Sequence, residues 1–343
     1  MSDPISLARQ LIDIPSLTGE EGAVGECLVR LFRDHGFQVR RHEVEAGRFN
    51  LLVETETPAA AFFCSHIDTV PPFIPSSEDA DFVYGRGACD AKGIIAAMIV
   101  AGERLLERGM RAFGYLLVVG EETDSIGAKR ANIDLSGSAG THIIVGEPTE
   151  SRFVRASKGA LTAVVRFRGI AAHSAYPDRG DSAIRKMASA IDRIYEAQWG
   201  SDALLGSGTP NVGVVRGGEK PNVIPAWAEA EMIFRIVESP ESALERLRGI
   251  VEPLDGEIVR HHGNNPTYMF APREEEAVVV GFNTDVPHLP AFGRPILYGP
   301  GSILDAHTAG EKISKIELTQ SVSAYVSMVE SIVKGSWSSD AQD

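Results

Sequence analysis

Apolar residues recur at helical spacing through residues 7–35 (Leu7, Leu11, then Val24, Leu28, Leu31 and Phe32), which predicts two helices. Between them, Thr18-Gly-Glu-Glu reads as an N-cap followed by acidic first-turn residues. Strand-like runs follow at Phe37–Val44 and Asn50–Glu54, then an apolar run at Ala60–Cys64. A proline-rich loop, Val70–Pro75, leads into GRGACDAKG. From Gly93 the sequence IIAAMIVAGERLLERG predicts an amphipathic helix stopped by Gly109. Tyr115–Val119 and His142–Val145 are short apolar runs of the kind found in a sheet covered on both faces. Strands alternating with helices predict an α/β sheet.

The middle of the chain follows another order. Ala160–Phe167 is strand-like, Ser182–Gln198 helical, Asn211–Val215 and Trp227–Ile236 strand-like, Ser239–Val251 helical, and Glu257–Arg260 a short strand. This β-α-β-β-α-β succession is the ferredoxin-like motif, inserted between two stretches of the α/β domain. The chain then returns through Ala277–Phe282 and Pro295–Tyr298 to a final helix from Glu317 to about Val333. The expected organisation is therefore α/β residues 1–158 and 265–335, an inserted domain at 159–264, and a disordered tail at 336–343.

At 343 residues, two domains are the expected number. The net charge of −14 argues against nucleic acid or an anionic membrane surface as a partner, since both attract basic patches. No run approaches the roughly 18 apolar residues of a membrane span, and the N-terminal residues lack a basic segment followed by a long apolar one. Cys27, Cys64 and Cys89 stand in apolar or tight contexts, which predicts reduced core thiols and a cytoplasmic enzyme.

Oxygen and imidazole donors stand mostly where the apolar runs end: His66 and Asp68 in FFCSHID, Glu121 and Glu122 after LLVVG, Glu147 after HIIVG, with Asp90 and His307 in tighter turns. A donor set without thiolate suits a two-metal hydrolase. In an extended segment residues i and i+2 point the same way, so the Asp68 carboxylate can reach the second nitrogen of His66 and aim the first at a metal. A satisfied strand-end histidine would look the same. Asp90 follows a glycine-rich turn that could bring a carboxylate into a crowded site, or it could cap the next helix. Two adjacent glutamates at a strand end repel one another unless cations neutralise them. Neighbours on a strand point to different sides, so one can bind metal while the other holds a water as general base. Alternatively both face solvent.

The blocks HIDTVP, GRGACDAKG, GEE, GEPT, GIAAHSAYP, GGEKPNVIP and GPGSILDAHTAGE, in that order from about residue 10 to about 330, resemble the signature of the co-catalytic zinc amidohydrolases. That family includes acetylornithine deacetylase, succinyl-diaminopimelate desuccinylase, carboxypeptidase G and aminoacylase. The resemblance implies a metallopeptidase-type α/β catalytic domain with the insert as a lid and homodimerisation domain. It implies two Zn²⁺ ions, with Co²⁺ or Mn²⁺ as substitutes, about 3.5–4 Å apart. His66 and Glu147 would bind one ion, Glu122 and His307 the other, and Asp90 both. Asp68 would orient His66, and Glu121 would be the general base. His173 matches a histidine lent across the dimer to the partner's oxyanion. Asn222 and Arg235 match residues that hold the substrate α-carboxylate. Without the resemblance, His173 reads as a surface histidine and Arg235 as an exposed strand residue. One departure stands beside Arg235: many relatives carry Asp two residues earlier, where this chain has Ile233.

The implied substrate is a small N-acyl amino acid. The blocks YGPGSILDAHTAGE and GRGACDAKG resemble most the acetylornithine, acetylcitrulline and acetyllysine deacetylases of arginine and lysine biosynthesis, with desuccinylase and carboxypeptidase or dipeptidase branches as alternatives. A metal-free binding relative is the rival of another class, and retention of Glu121 with every ligand position argues against it.

Overall fold

The computed structural model describes residues 2–55, 59–138 and 140–337. They form two compact units, one of residues 2–155, 269–278 and 284–337 and the other of residues 156–268 and 279–283. Residues 279–283, expected with the returning α/β chain, cluster with the second unit instead. Of the expected tail, residues 338–343 lie outside the described residues, whereas the Trp337 ring packs 5.6 Å from Phe270.

Apolar strands set the middle of the first unit. Phe113–Val118, Ala61–His66, His142–Val145 and Arg294–Leu297 lie side by side and parallel, and Arg48–Glu54 with Gln38–Glu45 extend the sheet antiparallel. Ala61–His66 is buried along its whole length. Phe63 joins Phe113, Tyr115 and Tyr325 on one face, while Phe62 meets Phe292 on the other. Neither face is left to water, which is why its sequence does not alternate.

Two local expectations fail. The helix Lys92–Glu107 is buried nearly all round rather than along one stripe, because it packs against the sheet and against the helices Pro4–Ile12 and Lys315–Val333. The helix Gly22–Asp34 has Glu21 at its N-cap with no side-chain cap bond; the Thr18 hydroxyl donates instead to Asp68 Oδ2 at 2.8 Å. A buried carboxylate has taken the hydroxyl that local sequence assigned to the cap.

In the second unit, Thr209–Gly217, Trp227–Ile236, Gly159–Arg168 and Gly256–Asn264 form an antiparallel sheet in that order. The helices Ala183–Glu196 and Pro240–Val251 share its core, with the Trp199 ring tilted against Phe234 at 4.1 Å. Ser182 and Ser239 cap them by accepting from Arg185 N and Ser242 N. Strand Gly256–Asn264 runs longer than expected, because a register shift after Ile258 lets pairing continue to Asn264. This is the ferredoxin-like arrangement. Among the described residues, no helix is long and apolar enough to cross a membrane, and Cys27, Cys64 and Cys89 are buried and free.

Gly102 lets the buried helix lie against the sheet: a Cβ there would stand 1.7 Å from Tyr115 Oη. Gly102→Ala is expected to destabilise the protein by about 1–3 kcal/mol through overpacking. Tyr115→Phe in the same chain should recover part of that loss in a urea-unfolding double-mutant cycle.

Candidate metal centre

The parallel strands deliver their following residues to one edge, where open α/β sheets place ligands. His66 ends Ala61–His66; Glu121 and Glu122 follow Phe113–Val118; Glu147 follows His142–Val145. The strand register aligns them: His66 pairs with Val118, and Gly146 N donates to Cys64 O at 2.8 Å. Asp90 enters from the turn before Lys92–Glu107, and His307 from a residue with left-handed φ of 62°. Asp90 caps nothing, since the N-cap of that helix is Ala91 without a side-chain bond.

Asp90 stands between two imidazoles. Its Oδ1 lies 2.9 Å from His66 Nε2 and its Oδ2 lies 3.3 Å from His307 Nε2. Glu122 Oε2 is 2.9 Å from the same His307 nitrogen. His66, Asp90 and Glu122 each offer a ligand atom, all within 4.8 Å of one another. Glu147 is buried beside them, and Glu121 is partly open to solvent although protein surrounds it. Such a set of nitrogen and carboxylate donors, with one carboxylate turned to two histidines, fits a pair of divalent cations.

Asp68 reaches His66 through two groups and also serves the neighbouring turn. The nearest acceptor to His66 Nδ1 is the main-chain carbonyl of Asp68 at 3.0 Å, with the carboxylate farther away at 3.5 Å. The carboxylate also accepts from Glu121 N (3.1 Å), Glu122 N (3.2 Å) and Thr18 Oγ1. The two glutamates therefore lie in a turn beyond the strand end, and the two-sides-of-a-strand argument does not apply to them. Asp68 pins that turn, and its carbonyl fixes the His66 ring.

The carboxylates at this edge are offset only in part, by His66 and His307. Burial, then the charge of Glu147, pushes the Glu121 carboxyl well above its ordinary range. Burial does the same to Glu147, with Asp90 adding to it. Against the effect of burial, hydrogen bonds to Asp68 and Asp90 hold His66 well above the usual imidazole range. Bonds to Asp90 and Glu122 raise His307 to about 10. Burial opposes ionisation of Asp90, yet His307 and His66 hold its carboxyl well below the ordinary value. Burial also pushes the Cys64 and Cys89 thiols up, so neither offers a thiolate.

Two residues here carry no spacing signal in the chain. Asn50 is fully buried, accepts from Val119 N (3.1 Å) and donates to Gly127 O (2.8 Å), which fastens both ends of the segment bearing Glu121 and Glu122. Asp285 is buried with no hydrogen-bond partner at Oδ1 among the described residues, and burial raises it to about 7. Its charge adds to those at Glu121 and Glu147.

The remaining expected residues lie in the second unit. His173 is exposed, bridges in backbone pairing to Val223, and its Nδ1 accepts from Ala175 N at 3.1 Å, which leaves the proton of the neutral ring on Nε2. Asn222 adjoins it, its carbonyl accepting from Ser174 N at 3.0 Å. Arg235 and Ile233 share the face of Trp227–Ile236 opposite the buried residues Met232 and Phe234.

Residues 155–258 match the family described as Peptidase dimerisation domain, M20_dimer. The chain is 33% identical to a probable carboxypeptidase of Paracoccidioides brasiliensis, covering 97% of this chain and 86% of that one. It is 33% identical to a peptidase M20 domain-containing protein of Schizosaccharomyces pombe, with 95% and 84% covered. Its fold superposes on a tripeptidase from Staphylococcus aureus (TM-score 0.81, 20% identity, 97% and 98% covered). It also superposes on a Bacillus subtilis protein described as a dinuclear metal binding peptidase from the M20 family (TM-score 0.66, 15% identity, 96% and 97% covered).

The shifted groups set a pH dependence. Glu121 and Glu147, raised in the fold, keep protons that unfolded carboxyls release above their ordinary value of 4.5. His66 and His307, also raised, keep protons that unfolded imidazoles release above 6.5. Both contributions stabilise the metal-free protein at lower pH and are lost as pH rises from about 5 to 10. Chelator-treated protein is expected to melt at a lower temperature at about pH 9 than at about pH 6, with a smaller difference in Glu121→Gln. A melting temperature that rises over that interval contradicts the charge arrangement.

Proposed function

The chain belongs to the M20 peptidase family, and we propose that it is a two-metal hydrolase cleaving a linear amide bond next to a free α-carboxylate. The observation that carries this reading is the division of Asp90, with one oxygen turned to His66 and the other to His307. His66 and Glu147 would hold one ion and Glu122 and His307 the other, with Asp90 shared. Asp90, Glu121, Glu122 and Glu147 bring four negative charges, enough to neutralise two divalent cations. Zinc suits nitrogen and carboxylate donors, and cobalt or manganese can take the same ligands. Bound there, the ions supply Lewis-acid polarisation of the scissile carbonyl and a water acidified towards neutral pH.

The protein's own groups do the rest. The Glu121 carboxylate, tied to neither histidine, accepts a proton from the attacking water and returns it to the departing amine nitrogen. The environment that raises it favours holding that proton between the two transfers. His173 Nε2–H is the donor for the oxyanion, lent to the partner subunit in a homodimer. The match of residues 155–258 to a dimerisation domain supports that assembly. Arg235 offers a bidentate fork to the α-carboxylate, with Asn222 beside it.

A peptide's last residue and an N-acyl amino acid present the same acyl carbon, amide nitrogen and α-carboxylate. The probable carboxypeptidases among the relatives favour short peptides as substrates. The second reading, an N-acetylornithine, N-acetylcitrulline or N-acetyllysine deacetylase, rests on the block YGPGSILDAHTAGE. A panel of dipeptides, blocked dipeptides and N-acyl amino acids, assayed with Zn²⁺ or Co²⁺, separates the two. Peptide turnover with poor deacetylation is expected, and the absence of hydrolysis of every member sinks the enzyme reading. Glu121→Gln should lower kcat at least about a hundredfold while metal content stays near wild type. Normal turnover in that variant removes the base assignment.

A further inference from the structure

The turn that presents Asp90 and the segment that presents His307 are distant in sequence, yet their donor atoms approach within 3.3 Å. We propose that Glu311 and Arg86 are positioning residues that hold these two segments in register so that Asp90 and His307 can share a cation. The inference rests on the two-metal reading above.

A short ribbon first brings the segments together: Phe82–Tyr84 pairs antiparallel with Lys312–Ser314, Tyr84 opposite Lys312. Glu311 then closes the gap. Its main-chain carbonyl accepts from Gly85 N at 3.0 Å. Its Oε1 accepts from Gly87 N at 2.8 Å and from Asp90 N at 3.3 Å, while Oε2 pairs with the Arg86 guanidinium. Arg86 Nε donates onward to Pro72 O at 3.3 Å, in the proline-rich loop after Asp68. Both side chains are sealed from water, at 2% and 0% exposure.

As a source of stability this pair is a poor device. Desolvating two charges costs about as much as their attraction returns. As an alignment device it is direct. Two of the carboxylate's bonds end on the backbone of the Asp90 turn, one at Asp90 itself, and Glu311 is four residues from His307. Gly87 makes room for that approach with φ of +90°, where a Cβ would meet Lys92 Cδ at 3.0 Å. Groups behind metal ligands commonly set affinity through such orientation.

The test is a Zn²⁺ titration of chelated, full-length protein against a chromophoric competitor, with kcat and KM measured in parallel. Failure of wild type to bind two ions would overturn the two-metal reading itself. With wild type binding two, Glu311→Gln is expected to weaken at least one ion about tenfold or more and to lower kcat with KM nearly unchanged. Wild-type affinity for both ions in this variant overturns the proposal. Should Glu311→Gln fail to fold, the double variant Glu311→Leu with Arg86→Met removes both buried charges together. It is expected to fold and to bind zinc at least about tenfold more weakly. Wild-type affinity in the double variant, or its failure to fold, shows a pair that serves only its own burial and overturns the assignment.

Discussion

Carboxylates crowded at one buried sheet edge are the constraint on which the remainder of the first unit depends. Asp90, Glu121, Glu122, Glu147 and Asp285 crowd one another, and His66 and His307 are among the positive groups that offset them. Water would dissipate such repulsion, but the strands behind the edge are apolar on both faces and exclude it. The protein therefore has to hold like charges together by backbone geometry. In the two-metal reading proposed above, cations would meet a site already formed, at the expense of a metal-free state that carries the repulsion.

How that geometry is held is visible in a few buried polar side chains. Asp68 receives the amides of Glu121 and Glu122 and turns its own carbonyl to His66. Asn50 fastens the two ends of the glutamate segment. Glu311 receives the amides of Gly87 and Asp90. In each case a side chain spends its hydrogen bonds on main-chain groups of a donor-bearing turn, so donor positions follow from backbone placement. Buried polar groups must be bonded somewhere, and here their partners are the turns that matter.

Much of this was legible in the chain because it is local. Apolar runs without alternation marked the covered strands, and the β-α-β-β-α-β succession marked the second unit, since both patterns reflect burial of neighbouring residues. His66, Glu121, Glu122 and Glu147 drew attention because they stand at or just past the ends of apolar strands, whereas Asp90 and His307 sit in turns. The misreadings share one cause. Thr18 looked like a helix cap until a carboxylate 50 residues away claimed its hydroxyl. The helix Lys92–Glu107 looked amphipathic because Glu103 and Arg104 break its apolar run, whereas packing from several sides buries Glu103 as well. Asn50 and Asp285 gave no signal because the groups Asn50 bonds and the carboxylates Asp285 acts on are distant in sequence.

The most direct measurement of the central claim is the anomalous scattering of zinc-loaded crystals. The account predicts two peaks per chain about 3.5–4 Å apart, astride the Asp90 carboxylate, with His66 and Glu147 on one ion and Glu122 and His307 on the other. A single peak, or two peaks that do not share Asp90, would contradict it.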